Sequence, residues 1–307
     1  MTSLLWRCRA SRSQGSRWAL PQSADGLSAR INNQAVKGTI ITPIANARMS
    51  GQAGALRQKR ERQGETMMNP LVFSMGFNGY QWIYRDLIAS QRRYCDRHGY
   101  DYVMVQKPGF TPLLKECAWL KLPLAADALR AGRPWVLFLD ADVRISDSAP
   151  AIESTFVSGN TFYLAKGRSG RINSGVIVAT NTIDSIKMLD DIVAAAQRPI
   201  PAEDDVGWGE NGHVIHYLKD SQLFHELNTR WNNTTNPGSS DYFRHYTGPM
   251  KDEFTLDAVG KLSKRIAKYY LKAMKAAGFR DDHRLFQSRL ADLQSAVARH
   301  YPVFKTG

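Results

Sequence analysis

The sequence predicts an α/β fold, a mixed and mainly parallel sheet flanked by helices, followed by a helical C-terminal segment. Three observations predict it. Val136, Leu137, Phe138 and Leu139 form an apolar run with no helical spacing, as a strand covered on both faces does. Between residues 70 and 140, apolar runs of this kind alternate with segments of helical character. Those helical segments carry their own start and stop residues.

In order, "PLVFSM" (70–75) reads as the first strand and "GFNG" (76–79) as the loop at its end. Residues 80–99 form a helix that stops at Gly99, and "YDYVMVQ" (100–106) is a second strand. Residues 111–132 form the next helix, with Thr111 as cap, Pro112 in the first position and Gly132 at the end. The strand ending in "DAD" follows. Strand, helix, strand, helix, strand is a right-handed parallel progression. "TFYLAK" (161–166) and "SGVIVAT" (174–180) add strands, and residues 182–197 an amphipathic helix. There are no internal repeats.

Asp140 and Asp142 end the central apolar run. In parallel sheets, ligands bind beyond the carboxyl ends of the strands, and side chains at i and i+2 share one side of an extended chain. Two carboxylates this close repel unless they share a cation. Hard oxygen ligands suit Mg²⁺ or Mn²⁺, which also bind phosphate oxygens. Three readings follow: a metal–diphosphate site, a phosphatase pair of nucleophile and general acid, or two solvated acids in a turn. The phosphatase pattern normally carries Thr or Val two residues after the second Asp, where Arg144 stands here. It also prefers a domain's first strand.

The order of the motifs narrows the choice. The DAD strand, then "INSGVIV" (172–178), then "HYTGPMK" (245–251) resembles the retaining nucleotide-sugar glycosyltransferases of the GT-A (Rossmann-like) fold. The late His-x-x-Gly-x-x-Lys spacing is similar to that of glycogenin and the lipopolysaccharide galactosyltransferases. "YCDRHGYDYV" and "AWLKLPLAADAL" are similar in style to the galactomannan galactosyltransferase and xyloglucan xylosyltransferase family. The resemblance spans about residues 70–251. It implies Asp140, Asp142 and His245 as ligands of Mn²⁺ (or Mg²⁺), with Lys251 and Gly248 at the donor diphosphate. It implies Asn173, Ser174 and Gly175 near the donor sugar, Lys121 facing the nucleotide, and Asn78 as the polar contact for base and ribose. Glu210 and Asn211 match the acidic–amide pair beside the reacting carbon by type rather than identity. The neighbouring "EDD" (203–205) could serve in place of Glu210, but reads better as a solvated acidic cluster. The implied reaction transfers a sugar from a nucleotide-diphosphate donor such as a UDP-sugar to a glycan or lipid-linked acceptor, with retention. A DxD phosphatase and a non-catalytic basic surface-binding protein are the alternatives.

Composition bounds the rest. The chain has 307 residues, 43% of them apolar, enough for a sizeable core. Its net charge of +13 is unevenly placed, because residues 1–66 hold 11 Lys/Arg against 3 Asp/Glu. The remainder carries no nucleic-acid motif, so no nucleic-acid partner is expected. Cys8, Cys95 and Cys117 lack pairing or metal spacing, which fits a reducing, cytoplasmic setting. No apolar run reaches the roughly 20 residues of a membrane span.

Residues 1–66 lack periodicity and read as a disordered or non-native extension, with a transit peptide as the other reading. Residues 67–255 then form the transferase-like domain and 256–307 the helical segment. In 261–278, Lys261, Lys264, Lys268, Lys272 and Lys275 share one face and Leu262, Ile266, Tyr269, Tyr270 and Ala273 another. Such a helix either lies on an anionic membrane surface, at the inner face, or packs on the domain. A last helix (281–301) is expected to pack on it. Asn232 and Asn233 match glycosylation sequons, with no secretory signal to support their use.

Overall fold

The computed structural model describes residues 68–207, 209–279 and 285–305. The reading of residues 1–66 therefore lies outside the described residues. The sheet has six strands: β1 (Leu71–Met75), β2 (Asp101–Val105), β3 (Trp135–Asp140), β5 (Phe162–Ala165), β6 (Val176–Thr180) and β7 (Phe224–Leu227), in the spatial order β2-β1-β3-β6-β5-β7. β1 pairs in parallel with β2 and β3, and β5 with β7, whereas β6 runs antiparallel to both β3 and β5. The expected mixed, mainly parallel sheet is thus present, with one reversed strand inside it. A separate two-stranded ribbon joins β4 (Val143–Ile145) to β8 (Phe243–His245).

The helices are α1 (Tyr80–Ile83), α2 (Arg85–His98), α3 (Leu114–Trp119), α4 (Lys121–Arg130), α5 (Ile183–Ala194), α6 (Asn211–Leu218), α7 (Ala258–Ala276) and α8 (Phe286–His300). Alternation along the strands splits the core in two. Phe73, Val136 and Phe138 face one apolar cluster with α4, α5 and α8, while Val72, Leu137 and Leu139 face another with the β4–β8 ribbon. Burial of both faces explains the unbroken apolar runs.

Several expected boundaries move, for local reasons. The helix predicted over 80–99 breaks at Tyr84, and Gly99 closes its second part at φ 73°. The helix predicted from Thr111 starts only at Leu114. Both backbone groups of Thr111 are bound by the Asn78 side chain, at 2.8 and 3.0 Å, which takes that residue out of the helix. The "EDD" acids are not simply solvated. Asp204 is buried and accepts hydrogen bonds from Lys219 at 2.8 Å and from His216 at 2.9 Å, tying a loop to α6. Asn232 and Asn233 are both buried, so neither sequon is open to a glycan.

The largest difference concerns the C-terminus. α8 does not rest on α7 but inserts Phe286, Leu290, Leu293 and Val297 into the main core. The Arg289 side chain reaches Glu116 of α3 at 2.7 Å, and Gln294 reaches Asp127 of α4 at 2.5 Å. Beyond α8, Phe304 is 1% exposed and meets Phe73 edge-on at 5.3 Å. Phe304→Ala is therefore expected to destabilise the protein by about 3–5 kcal/mol, read as a lower urea midpoint. A midpoint unchanged from the parent would show that the C-terminus contributes nothing to the core.

Candidate active site

The strand directions assemble the site. Because β6 runs against β3, the turn leading into β6 lies beside the carboxyl end of β3, and Asp140 N–H donates to Gly175 O at 2.8 Å. The ribbon brings in the third segment. Val143 pairs with His245, and Tyr246 N–H donates to Asp142 O at 2.9 Å. Gln91, buried on α2, donates through Nε2 to Asp140 O at 3.1 Å and Val143 O at 2.8 Å, fixing the backbone on either side of the acid pair.

Asp140, Asp142 and His245 consequently converge, each offering one ligand atom, with these atoms all within 4.8 Å of one another. His245 Nε2 lies 3.2 Å from Asp142 Oδ1 and 3.6 Å from Asp140 Oδ2. The other ring nitrogen, Nδ1, is 3.0 Å from Asn232 Oδ1. The Asn232 amide nitrogen is already directed at two acceptors, Asn173 Oδ1 at 2.9 Å and Asn173 O at 3.2 Å. Its oxygen must therefore face the imidazole, Nδ1 carries the hydrogen, and Nε2 is left to bind a cation or a proton. Burial works against the charged imidazole, but the Asp142 and Asp140 carboxylates outweigh it and raise the His245 pKa. Burial likewise raises that of Asp140, against the pull of Lys121 and His245.

A second charge system adjoins the first. Lys121 is buried, with Nζ 2.7 Å from Glu210 Oε1, 3.5 Å from Asp140 Oδ1 and 3.1 Å from Ser174 O. Desolvation opposes its charge, yet Asp140 and Glu210 raise its pKa and keep it a cation. It also sits 4.6 Å over the Phe138 ring. Ser174 is held by all its polar groups. Its hydroxyl donates to Glu210 at 2.6 Å, its N–H to Asn211 Oδ1 at 2.7 Å, and its carbonyl accepts from Lys121. Asn173 Oδ1 accepts from Gly175 N–H at 3.1 Å.

These groups line one cleft of about 820 Å³. All twelve residues singled out from the sequence border it: Asn78, Lys121, Asp140, Asp142, Asn173, Ser174, Gly175, Glu210, Asn211, His245, Gly248 and Lys251. Their availability differs. The Asn78 amide is occupied at both ends by Thr111, so it shapes the loop instead of presenting a free amide. Asn211 is bound to Ser174 and, at 3.3 Å, to Ile172 O. Gly248 adopts φ 53° with open space around it, and Lys251 is exposed on the turn that follows. Sequence reasoning missed Asn232 and Gln91 as positioning residues. It also missed Tyr80, Tyr84 and Arg168, which line the cleft.

No protein-family model and no curated protein matches the chain. Among solved structures it is similar to a glycosyltransferase involved in glycosylation of the major capsid of PBCV-1, at 14% identity over 60% of this chain and 97% of that one, TM-score 0.48. It is also similar to the glycosyltransferase GlyE of Streptococcus pneumoniae, at 11% identity over 69% of this chain and 64% of that one, TM-score 0.41. A third is the galactosyltransferase LgtC, in complex with donor and acceptor sugar analogs, at 12% identity over 65% of this chain and 95% of that one, TM-score 0.37. Likeness at this level does not assign the chain to a family.

Two substitutions test the geometry. A Cβ on residue 175 would lie 2.2 Å from His245 Cε1 and 2.7 Å from Asp140 Oδ2. Gly175→Ala is expected to displace the triad and abolish Mn²⁺ binding in a calorimetric titration, while far-ultraviolet circular dichroism stays that of the parent. Asn232→Ala frees the imidazole tautomer and is expected to weaken Mn²⁺ by about 10–100-fold. Parent-like affinity in Gly175→Ala would show that the triad does not hold the ion, and in Asn232→Ala that the amide does not position His245 for it.

Proposed function

We propose that the protein is a metal-dependent glycosyltransferase of GT-A type. It would move a sugar from a nucleoside-diphosphate donor, with UDP-sugars the first choice, to a glycan or lipid-linked acceptor. The observation that carries this reading is the convergence of Asp140, Asp142 and His245 within 4.8 Å, at the carboxyl end of β3 and in a cleft large enough for a nucleotide sugar.

The donor set fits a divalent ion. Two carboxylates in such proximity need a positive partner, and an imidazole nitrogen beside hard oxygens favours Mn²⁺ over Mg²⁺. When bound, the ion supplies Lewis-acid neutralisation of a leaving diphosphate. The chain's own residues do the rest. Asn232 orients His245, and Gln91 fixes the backbone of the acid pair. Lys251 and Arg168, exposed at the cleft, supply point charges for diphosphate oxygens. Lys121 and Ser174 hold Glu210, the third acid of the cleft, in one place. A carboxylate so engaged is a poor free nucleophile. That supports a retaining reaction in which the departing diphosphate takes the acceptor proton, the part of the reading that rests on the family resemblance. Nothing in the cleft favours a phosphatase, whose first aspartate would have to attack substrate.

Titration of UDP into the protein is expected to show binding with Mn²⁺ and none with EDTA. Asp140→Ala/Asp142→Ala is expected to reduce affinity at least about 100-fold. Binding indifferent to both would overturn the proposal.

A further inference from the structure

The helix α7 is divided into three sectors, not the two expected from its sequence. Gly260, Ser263 and Ala267 form the buried sector. This stripe packs on α1, where Gly79 comes so close that a Cβ would lie 3.4 Å from Ser263 O. Lys261, Lys264, Arg265, Lys268, Lys272 and Lys275 form an exposed cationic sector with no acid in the helix. The third sector is apolar and faces solvent: Val259 is 45% exposed, Leu262 55%, Ile266 48% and Tyr269 64%. These four side chains therefore do not serve to pack the helix on the domain.

The patch continues onto the rim of the cleft. Trp82 of α1 is 55% exposed, as are Tyr80 and Leu114 to similar degrees, and the last two line the cleft. Phe110 meets Tyr270 of α7 with ring centroids 5.1 Å apart and the planes tilted by 54°. Eight of the thirteen large apolar side chains left in solvent among the described residues belong to α7, to α1 or to Phe110 and Leu114.

We propose that α7 and α1 dock on an anionic lipid bilayer. An apolar ridge beside a lysine stripe matches the two layers of such a surface, with acyl chains under the ridge and anionic headgroups against the lysines. At 19 residues, α7 is about 28 Å long and lies along the interface. No helix among the described residues is long and apolar enough to cross a membrane, so contact is from one side. Docking would bring the cleft rim to the lipid surface, where the acceptor would be a lipid-linked glycan; this last clause alone rests on the glycosyl-transfer reading.

The test is co-sedimentation of the full chain with phosphatidylcholine vesicles, with and without about 30% phosphatidylglycerol. The parent, Leu262→Ser/Ile266→Ser/Tyr269→Ser, and Lys261→Gln/Lys264→Gln/Lys268→Gln/Lys272→Gln are compared. The expected result is binding to the anionic vesicles only, weakened about tenfold or more in both variants. A parent that stays in solution overturns the proposal. So does equal binding to neutral vesicles, or anionic binding unaffected by the variants, which would locate it outside α7. UDP titration of the same variants keeps the two readings apart. Lost sedimentation with intact UDP binding concerns the surface, and absent UDP binding in a sedimenting parent concerns the cleft.

Discussion

The site depends on one reversed strand. β6 is the only member of the six-stranded sheet that runs against its neighbours β3 and β5. In a wholly parallel sheet, the segment entering the strand beside β3 would lie at the opposite edge from Asp140. Reversal brings Asn173, Ser174 and Gly175 to the carboxyl end of β3, close enough for a backbone hydrogen bond to Asp140. It also explains why residue 175 has no side chain, since the space a Cβ would occupy holds His245 and Asp140.

Around this edge the protein gathers five ionisable side chains, and their arrangement answers a problem of charge. Isolated carboxylates and ammonium groups are costly to bury, at several kcal/mol per ion. Lys121 is shared between Glu210 and Asp140, and His245 lies between Asp140 and Asp142. Asp140 is therefore the hinge of both systems, one neutralised by the protein itself and the other open to an external cation. The two differ in exposure as well. The Lys121 and Glu210 side chains are 6% and 5% exposed, whereas that of Asp140 is 36% exposed toward the cleft.

How far the sequence revealed this depended on the range of the interaction. The DAD strand, the turn before β6 and the His245–Lys251 segment each carry a local pattern, and all three reach the cleft. Asn232 and Gln91 carry none, because a buried amide that orients another side chain looks in sequence like any polar residue. Asn78 and Asn211 border the cleft, but their amides are taken up by backbone groups of Thr111, Ser174 and Ile172. Only coordinates show such competition. The role of α8 was hidden for a related reason. Its apolar periodicity shows that the helix packs, without saying whether the partner is the neighbouring helix or a sheet built some 200 residues earlier.

Asp142 and His245 are joined by a two-stranded ribbon whose halves lie about a hundred residues apart in the chain. Closing so long a loop is entropically unfavourable before the contacts it permits are made. The ribbon also leans on Phe243, which is fully buried against Tyr94 and Trp231. The corner where Asp140, Asp142 and His245 meet thus rests on a pairing of high sequence separation. During synthesis, a chain that has not yet emerged past β8 has both aspartates but no histidine beside them. A chain truncated before β8 therefore lacks one of the three groups that converge at this corner.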